Sequence, residues 1–584
     1  MDVPRYLPSP RLRKHHVHDP LHNPMWHAST CGVGVGYTMP CLFARRGGIP
    51  RNETPSDWPS SLLSPSYLKG ACRPPIVSVE LFIQTIFFIF WFLRYNICFI
   101  TSIMSNGSAT ETYTVPLLIN GKDQTSEHAF DIISPSNSKV IHRYYSADVK
   151  HADAAVDAAA EAFKTWRKAT PYQRRDVLLK AAEIIEKRRD ELREYSMGET
   201  GSDAAWADFD ISTAIQHIKE VAGRVGTIQG SIPRLADPDT HALVLQEPYG
   251  VVLAISPWNA PFILGSRAVI FPIAAGNTVV FKGSELSPRT LWAIGDVFRE
   301  AGLPEGVLNV IFHERANAAS VTSALIKNPH VKKINFTGST PVGQIVGKLA
   351  GENLKPVVLE LGGKAPSIVW EDADLDLAAF QNALGSFMNS GQICMSTERI
   401  LVHKNVLAEF EKKLSASIEQ IFSSKGDAPT LVSTAGVERN KALVKDAVSK
   451  GATLVHGNLD VEETSKYRMR PIVIRDVTAE MDIYQSESFG PTVSLIAIET
   501  EEEAIKLAND TEYGLSSSVF TTDLGRGLRI AREIETGAVH INNMTVHDES
   551  ALPHGGAKAS GHGRFGGSFG LEEWTRSKTI TFKN

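Results

Sequence analysis

From Asn120 onward the apolar positions fall first at helical and then at strand spacing. The segments ADAAVDAAAEAFKTWRKAT and TPYQRRDVLLKAAEIIEKRRDELREY place apolar residues three and four positions apart, which predicts two amphipathic helical stretches. Thr170 followed by Pro171 predicts the start of the second: a hydroxyl cap, then a proline whose missing N–H is no loss in the first turn. Beyond them the spacing changes. YGVVLAIS, NTVVFKG, VLNVIF, VKKINFTGS and PVVLELGG are short apolar runs that predict buried strands. Between them lie helix-like segments: SPRTLWAIGDVFREAG, framed by Ser287, Pro288 and Gly302, and TPVGQIVGKLAG. Strand and helix in turn imply a parallel sheet covered on both faces, an α/β fold whose ligands bind beyond the carboxyl ends of the strands.

The first hundred residues do not share this pattern. Residues 1–75 are rich in Pro, Ser, His and Arg without a sustained apolar period, so disorder is expected there. The run LFIQTIFFIFWFL, Leu81–Leu93, is 13 residues long, whereas a bilayer core takes about 20. Extending it through Ile103 reaches that length only by accepting Arg94 and Asn96. A membrane anchor, a targeting element and a stretch absent from the mature protein are the three readings of the leader, residues 1–103, and its hydrophobic part, 81–103. The last is favoured, because Met104 opens MSNGSATETYTVPLLINGKD, a polar leader running into a strand, as an independent soluble protein would begin. Basic residues ahead of the hydrophobic run would also leave the large domain outside the cell. The expectation is a cytoplasmic protein, with membrane association only if residues 76–103 are retained.

At 584 residues the chain has length for two or three domains, since single cores stop growing near about 250–300 residues. A formal net charge of -5 offers no long-range attraction to nucleic acid. No basic helix or RNA-binding signature offsets it, and nucleic acid is not expected as a partner. His15, His16, His18, His22 and His27 cluster in the leader, and no Cys/His constellation elsewhere suits a metal, so none is assigned. Of the five cysteines, Cys31, Cys41, Cys72 and Cys98 also fall in the leader, which leaves Cys394 alone in the globular part.

A search for a dinucleotide fingerprint misleads. GHGRFG, Gly561 to Gly566, has the literal G-x-G-x-x-G form but follows no predicted strand and opens no predicted helix, and the early GVGVG fails likewise. FTGST is the better phosphate candidate: a strand ends at Phe336 to Gly338 and a helix begins at Ser339 or Thr340, presenting free N–H groups. On its own this is as consistent with a plain strand-to-helix turn. Taken singly, Cys394 would be a small buried hydrophobe, Glu360 a strand-end charge and Asn259 a turn residue.

Seven short segments together reverse that reading. SPWNAP (256–261), FKGSE (281–285), FTGST (336–340), LELGGKAP (359–366), GQICMSTER (391–399), ESFGP (487–491) and GGAKASGHGR (555–564) stand in the order and spacing of the aldehyde dehydrogenases. From about Tyr113 to Phe582 the chain resembles that family. The resemblance implies that Cys394 is the nucleophile, forming a thiohemiacetal and then a thioester. It further implies that Asn259, with the Cys394 backbone N–H, makes the oxyanion hole, and that Glu360 activates the hydrolytic water.

For the cofactor the resemblance implies NAD. Lys282 and Glu285 would meet the adenine ribose, where the Glu285 carboxylate repels a 2′-phosphate. Ile255, Ser256 and Trp258 would line the adenosine path, Gly338 and Ser339 would face the pyrophosphate, and Glu487 with Phe489 would hold the nicotinamide ribose and ring. One departure is FHERANAAS, which replaces the Gly-rich stretch many relatives carry after the VLNVI strand.

GQICMSTER, PWNAP and VHDESALPHGG are most similar to the salicylaldehyde, benzaldehyde and vanillin dehydrogenase type, which implies an aromatic aldehyde as substrate. Ala260 stands where other members often carry a bulky aromatic, so a flat ring has room. The expected pocket is Ala260, Ile263, Leu264, Ile393 and Met395, with Arg267 and Trp206 along the tunnel; the alternative for Arg267 is a helix-surface charge. Rival readings are an aliphatic or semialdehyde dehydrogenase, a catalytically silent relative acting as a binding protein, and a cysteine hydrolase. The last is disfavoured because no sequence signature supplies a histidine partner.

The architecture implied is two doubly wound α/β domains plus a small β oligomerisation extension. The NAD-binding domain is expected over 113–360, interrupted by bridging strands near 229–246, the catalytic domain over 361–550, and a C-terminal return and oligomerisation strand over 551–584. THALVLQEP and WTRSKTITF are the candidate bridging strands of a homodimer or homotetramer.

Overall fold

The structure, a computed structural model, describes residues 112–422 and 425–583. The expectations for the leader, its hydrophobic segment, the start at Met104, the histidine cluster and four of the cysteines all concern residues outside those described. Among the described residues no helix is long and apolar enough to cross a membrane.

Eight strands make the first sheet, in the spatial order Gly561–His562, Val357–Glu360, Val331–Thr337, Val251–Ile255, Thr278–Lys282, Leu308–Ile311, Leu117–Ile119 and Lys122–Gln124. The five strands from Val357–Glu360 to Leu308–Ile311 pair in parallel. Their residues are almost all buried. Helices cover both faces, which is why these strands read as unbroken apolar runs rather than as an alternation. From Val251–Ile255 successive strands build outward through Thr278–Lys282 and Leu308–Ile311, then on the other side through Val331–Thr337 and Val357–Glu360. The reversal opens a crevice at the carboxyl ends, between the chain leaving Ile255 and the chain leaving Thr337.

The second sheet has seven strands, ordered Thr453–His456, Ile472–Arg475, Thr492–Ile498, Thr397–His403, Ala365–Val369, Ser516–Phe520 and Ala538–Ile541. All its pairings are parallel except that of Thr453–His456 with Ile472–Arg475. The chain crosses from the first sheet to the second between Glu360 and Ala365. It returns near its end: His562 and Gly561 pair antiparallel with Leu359 and Glu360, and Phe565, Leu571 and Trp574 join the first core. GHGRFG thus begins in an edge strand. A Cβ on Gly561, at φ +105°, would stand 2.0 Å from the Leu359 carbonyl oxygen, so only glycine lets the two backbones meet.

Thr240–Pro248 pairs along its length with Thr575–Lys583 as a two-stranded antiparallel ribbon. The ribbon starts later than residue 229; Ser231 touches it only through an isolated bridge to Val244. Local chemistry mostly follows the pattern. The Thr170 hydroxyl accepts from the Gln173 N–H and Pro171 opens the helix Pro171–Lys187. The apolar period that reads as one helix to Tyr195 is however broken at Arg188, where Arg189–Thr200 begins. There the Arg188 guanidinium holds Glu191 at 3.0 Å and Asp296 at 2.8 Å. Ser287 precedes the helix Pro288–Glu300, but its hydroxyl makes no capping bond. The buried Glu199 carboxylate caps instead, accepting from the Arg289 and Thr290 N–H groups at 2.8 and 2.9 Å.

Candidate active site

Cys394 arrives on a turn that the backbone makes with difficulty. Asn389 and Ser390, at φ +49° and +59°, precede Gly391 at φ +71°, three successive left-handed residues. Such a run persists only where its surroundings hold it. Here the Asn389 amide donates to the Asn259 carbonyl at 3.0 Å, the Ser390 hydroxyl donates to the Thr430 carbonyl at 2.9 Å, and the Val432 N–H donates to the Gln392 side chain at 3.0 Å. Across the turn a Cβ on Gly363 would lie 2.1 Å from the Cys394 carbonyl oxygen, so the second glycine of LELGG is what lets the two segments close. Burial pushes the Cys394 thiol up to about 12; the Glu360 charge adds to that and the Arg267 guanidinium opposes it. In this state the sulfur holds its proton and needs a base to become a nucleophile.

Asn259 sits between the strand Val251–Ile255 and the helix Pro261–Ala274. Its side-chain amide donates to the Gln392 carbonyl at 2.9 Å, two residues from the thiol, and its backbone carbonyl accepts from Trp206 Nε1 at 3.2 Å. The following helix is anchored from far away in sequence. Buried Asp210 accepts from the Phe262 and Ile263 N–H groups at 2.9 and 2.8 Å, and burial raises its carboxyl to about 7 against those two bonds.

Glu360 ends the strand Val357–Glu360 and its side chain is buried. One carboxylate oxygen, Oε2, accepts from Arg267 Nη2. The other, Oε1, has no hydrogen-bond partner among the described residues and faces His554 Nε2 at 3.6 Å. Arg267 is not a helix-surface charge: every residue of Pro261–Ala274 is buried. Its guanidinium also holds Asp548 at 3.2 Å and lies over the Phe565 ring, 5.2 Å from the centroid. His217 Nε2 stands 3.5 Å from Asp548. Burial works to raise the Asp548 carboxyl, but His217, His554 and Arg267 together hold it well below the usual carboxylate range.

The residues expected to meet a nucleotide gather at the carboxyl ends of the first sheet. Ile255 and Lys282 are the last residues of neighbouring strands, and Ser256, Trp258 and Glu285 follow in the loops. Gly338 and Ser339 lie on the other side of the crevice, with Ser339 at the start of the helix Thr340–Glu352. Lys282 is buried, which lowers its pKa, and Glu285 is the only charge that raises it again. His313 Nε2, from the FHERANAAS departure, is buried without a partner. Its Nδ1 donates to the Glu314 carbonyl at 3.1 Å, so Nε2 is left as an acceptor beside the buried Lys282 ammonium, polar groups that a ligand in the crevice could meet. On the far side Glu487 Oε1 accepts from the Gly363 N–H at 2.8 Å, and burial followed by the Glu398 charge raises its carboxyl to about 7. Phe489 meets Trp258 edge to face, centroids 6.0 Å apart.

Ala260, Ile263, Leu264, Ile393 and Met395 share one apolar cluster with Trp206, and Cys394 packs against it. Leu515, Val546, Met388 and Met544 belong to the same cluster and were not anticipated from the sequence. Leu515, Val546 and Met544 come from turns and strand ends that only the sheet order brings to Cys394, while Met388 opens the turn that carries it. Asp548, His217 and His554 were missed too, although VHDESALPHGG holds two of them six positions apart. Among the described residues no cluster of His, Cys, Asp and Glu is arranged to hold a metal ion.

The family model described as "Aldehyde dehydrogenase family" matches residues 122–580. Vanillin dehydrogenase of Pseudomonas fluorescens is 43% identical to this chain over 477 residues, 80% of this chain and 98% of that one. Among solved structures, a salicylaldehyde dehydrogenase from Pseudomonas putida G7 complexed with salicylaldehyde aligns with a TM-score of 0.78 at 39% identity, over 81% of this chain and 98% of that one. Betaine aldehyde dehydrogenase from Staphylococcus aureus, in complex with NAD+, aligns with a TM-score of 0.76 at 31% identity, over 80% and 94%.

Proposed function

The chain belongs to the aldehyde dehydrogenase family, and we propose that it uses NAD to oxidise aromatic aldehydes, of the benzaldehyde, salicylaldehyde or vanillin type, to their carboxylic acids. The observation that carries this reading is the apolar cluster of Trp206, Ala260, Ile263, Leu264, Ile393 and Met395 packed around the Cys394 thiol, with the Glu360 carboxylate near enough to perturb that thiol. In this reading the small side chain of Ala260 is what admits a ring.

In this reading Glu360 takes the Cys394 proton, and the thiolate adds to the aldehyde carbon to give a thiohemiacetal. Its oxyanion is met by the second N–H of the Asn259 amide and the Cys394 backbone N–H. When bound, the nicotinamide supplies the hydride acceptor that turns this adduct into a thioester. Glu360 then draws a proton from a water that attacks the thioester carbon, releasing the acid and the thiol. Lys282, Ser256, Gly338, Ser339, Trp258, Glu487 and Phe489 hold the dinucleotide. Glu285 beside Lys282 supports NAD over NADP, because a carboxylate there repels a 2′-phosphate.

The first sheet, over 113–360, is then the NAD-binding domain and the second, over 361–550, the catalytic domain. The ribbon supports a homodimer or homotetramer: an isolated pair of strands is marginal in water, its outer edges are open for pairing, and it leaves Leu245, Ile580 and Phe582 exposed. Cys394 is the only cysteine among the described residues, and a thiol reagent of that kind suits a reducing compartment such as the cytoplasm.

The test is NAD reduction with benzaldehyde, salicylaldehyde, vanillin and propanal, beside the Cys394→Ser variant. Aromatic aldehydes should give the highest kcat/KM and the variant none. Preference for propanal sinks the aromatic assignment, and turnover by the variant sinks the nucleophile.

A further inference from the structure

Oxidising an aldehyde to a carboxylate with water releases two protons per turnover: the one Glu360 takes from the thiol, and the one lost when the product acid ionises, while the proton Glu360 later draws from water goes back to the sulfur. Because Glu360 accepts first the thiol proton and then one from the water, as proposed above, it must be emptied between them. Its Oε2 is held by a guanidinium, which donates hydrogen bonds and does not carry a proton away. That leaves Oε1, buried, unpartnered and 3.6 Å from His554 Nε2. The opposite ring nitrogen of the same histidine, Nδ1, faces Asp548 at 3.9 Å. Asp548 is in turn 3.5 Å from His217, and a small cavity lined by His217, Asp548 and His554 reaches Glu549, which is exposed. It has room for about one water, enough to bridge gaps of this length.

We propose that His554 is the proton exit of the active site, resting on the assignment of Glu360 as the base. His554 Nε2 takes the proton from Glu360 Oε1, the imidazolium releases its Nδ1 proton toward Asp548 and the cavity water, and the proton leaves past Glu549. Nothing is oxidised or reduced in this transfer, and each group returns to its starting state. His554 is well chosen for the task. Burial lowers its pKa, and the charges facing it are mixed: Glu360 and Asp548 raise it, while Arg267 and His217 lower it. His540, whose ring lies against His547, is the remaining ionisable neighbour. With its pKa lowered, an imidazolium formed there gives its proton up again readily. In this scheme His554 acts through Glu360.

The experiment is rapid-mixing kinetics of NADH formation by the full chain and its His554→Gln variant with benzaldehyde and NAD. The first turnover needs Glu360 to accept only one proton before the hydride leaves, so the variant should keep its burst. Its turnover phase should fall about tenfold or more, a share of the ordinary acid–base contribution, with KM little changed and a shifted pH profile. Equal turnover phases overturn the proposal, and so does loss of the burst, which makes His554 a structural support of the pocket. Asp548→Asn should follow the same pattern. Should both variants misfold, the unmutated protein decides: a deuterium solvent effect larger on turnover than on the burst supports the relay, and equal effects overturn it. Absence of any NADH from the unmutated protein would count against the proposed function and not against the relay.

Discussion

Replacing Ala260 by phenylalanine is the sharpest test of the substrate class. Ala260 is 6% exposed, sits at the start of the helix Pro261–Ala274, and packs with Trp206, Ile263, Leu264, Ile393 and Met395 around the thiol. A benzyl group there fills the volume that an aromatic substrate is argued to use. Burying a phenyl-sized side chain is worth about 1.5–3 kcal/mol. At about 1.4 kcal/mol for each factor of ten, displacing the substrate ring should lower kcat/KM for benzaldehyde by about 10- to 150-fold. Propanal has no ring to lose, so its kcat/KM should change by less than about threefold, within the spread of small steric effects. The assay is initial-rate NADH formation with both aldehydes, with thermal unfolding of the variant as a check on the fold. Asn259 is the neighbouring residue, so an equal loss for both substrates would mean that the oxyanion donor has moved. That result, or an unchanged preference for benzaldehyde, refutes the pocket reasoning.

Three further outcomes follow from the buried charges. Because the Cys394 thiol is pushed up to about 12, its alkylation by iodoacetamide in the free protein should still climb about tenfold per pH unit at pH 9, where an ordinary thiol of pKa about 8.5 has begun to level off; a plateau below pH 9 contradicts it. Glu398 joins Lys364 at 2.5 Å and accepts from the Ser488 N–H at 2.9 Å, all buried, so Glu398→Gln strands a buried ammonium and should lower stability by about 3–5 kcal/mol in chemical denaturation; a loss under about 1 kcal/mol refutes it. Asp210 has its carboxyl raised to about 7 in the folded chain, so the folded state binds the extra proton between about pH 4 and 7 and stability falls as pH rises through that window, by at most about 1.4 kcal/mol per unit. Asp210→Asn should remove that slope, and an unchanged pH dependence of the unfolding midpoint would dismiss it.

What could be read from the chain depended on whether a contact was local. The five parallel strands of the first sheet were legible because each is buried on both faces and so is apolar from end to end. Thr170 and Pro171 were legible because a cap acts within one turn. Arg188 was not: the apolar period runs on through it, and the break is held by Asp296, 108 positions away. Ser287 and Pro288 marked the helix start correctly, although the groups that cap it are the oxygens of Glu199 and not the hydroxyl next to the helix. At the site, the segments carrying Cys394, Glu360 and Asn259 were conspicuous because close backbone approaches demand glycine and small residues at fixed spacing. The outer ring of the same site was silent. Leu515 and Val546 reach the thiol only because Ser516–Phe520 lies beside Ala365–Val369 in the second sheet.

Arg267 shows how far a single side chain can change the chemistry without touching the reacting bond. Three carboxylates, from Glu360, Glu487 and Asp548, all push the Cys394 thiol up, and the guanidinium is the one charge that pulls it down. The same group pairs with two of those three acids, each nearly out of contact with water. An unpaired carboxylate at such a buried position is costly. Without Arg267, the buried Glu360 Oε2 and Asp548 carboxylates would lose the cation that both of them pair with. The ion pair therefore fixes one carboxylate oxygen of Glu360 and leaves the other, Oε1, without a hydrogen-bond partner among the described residues.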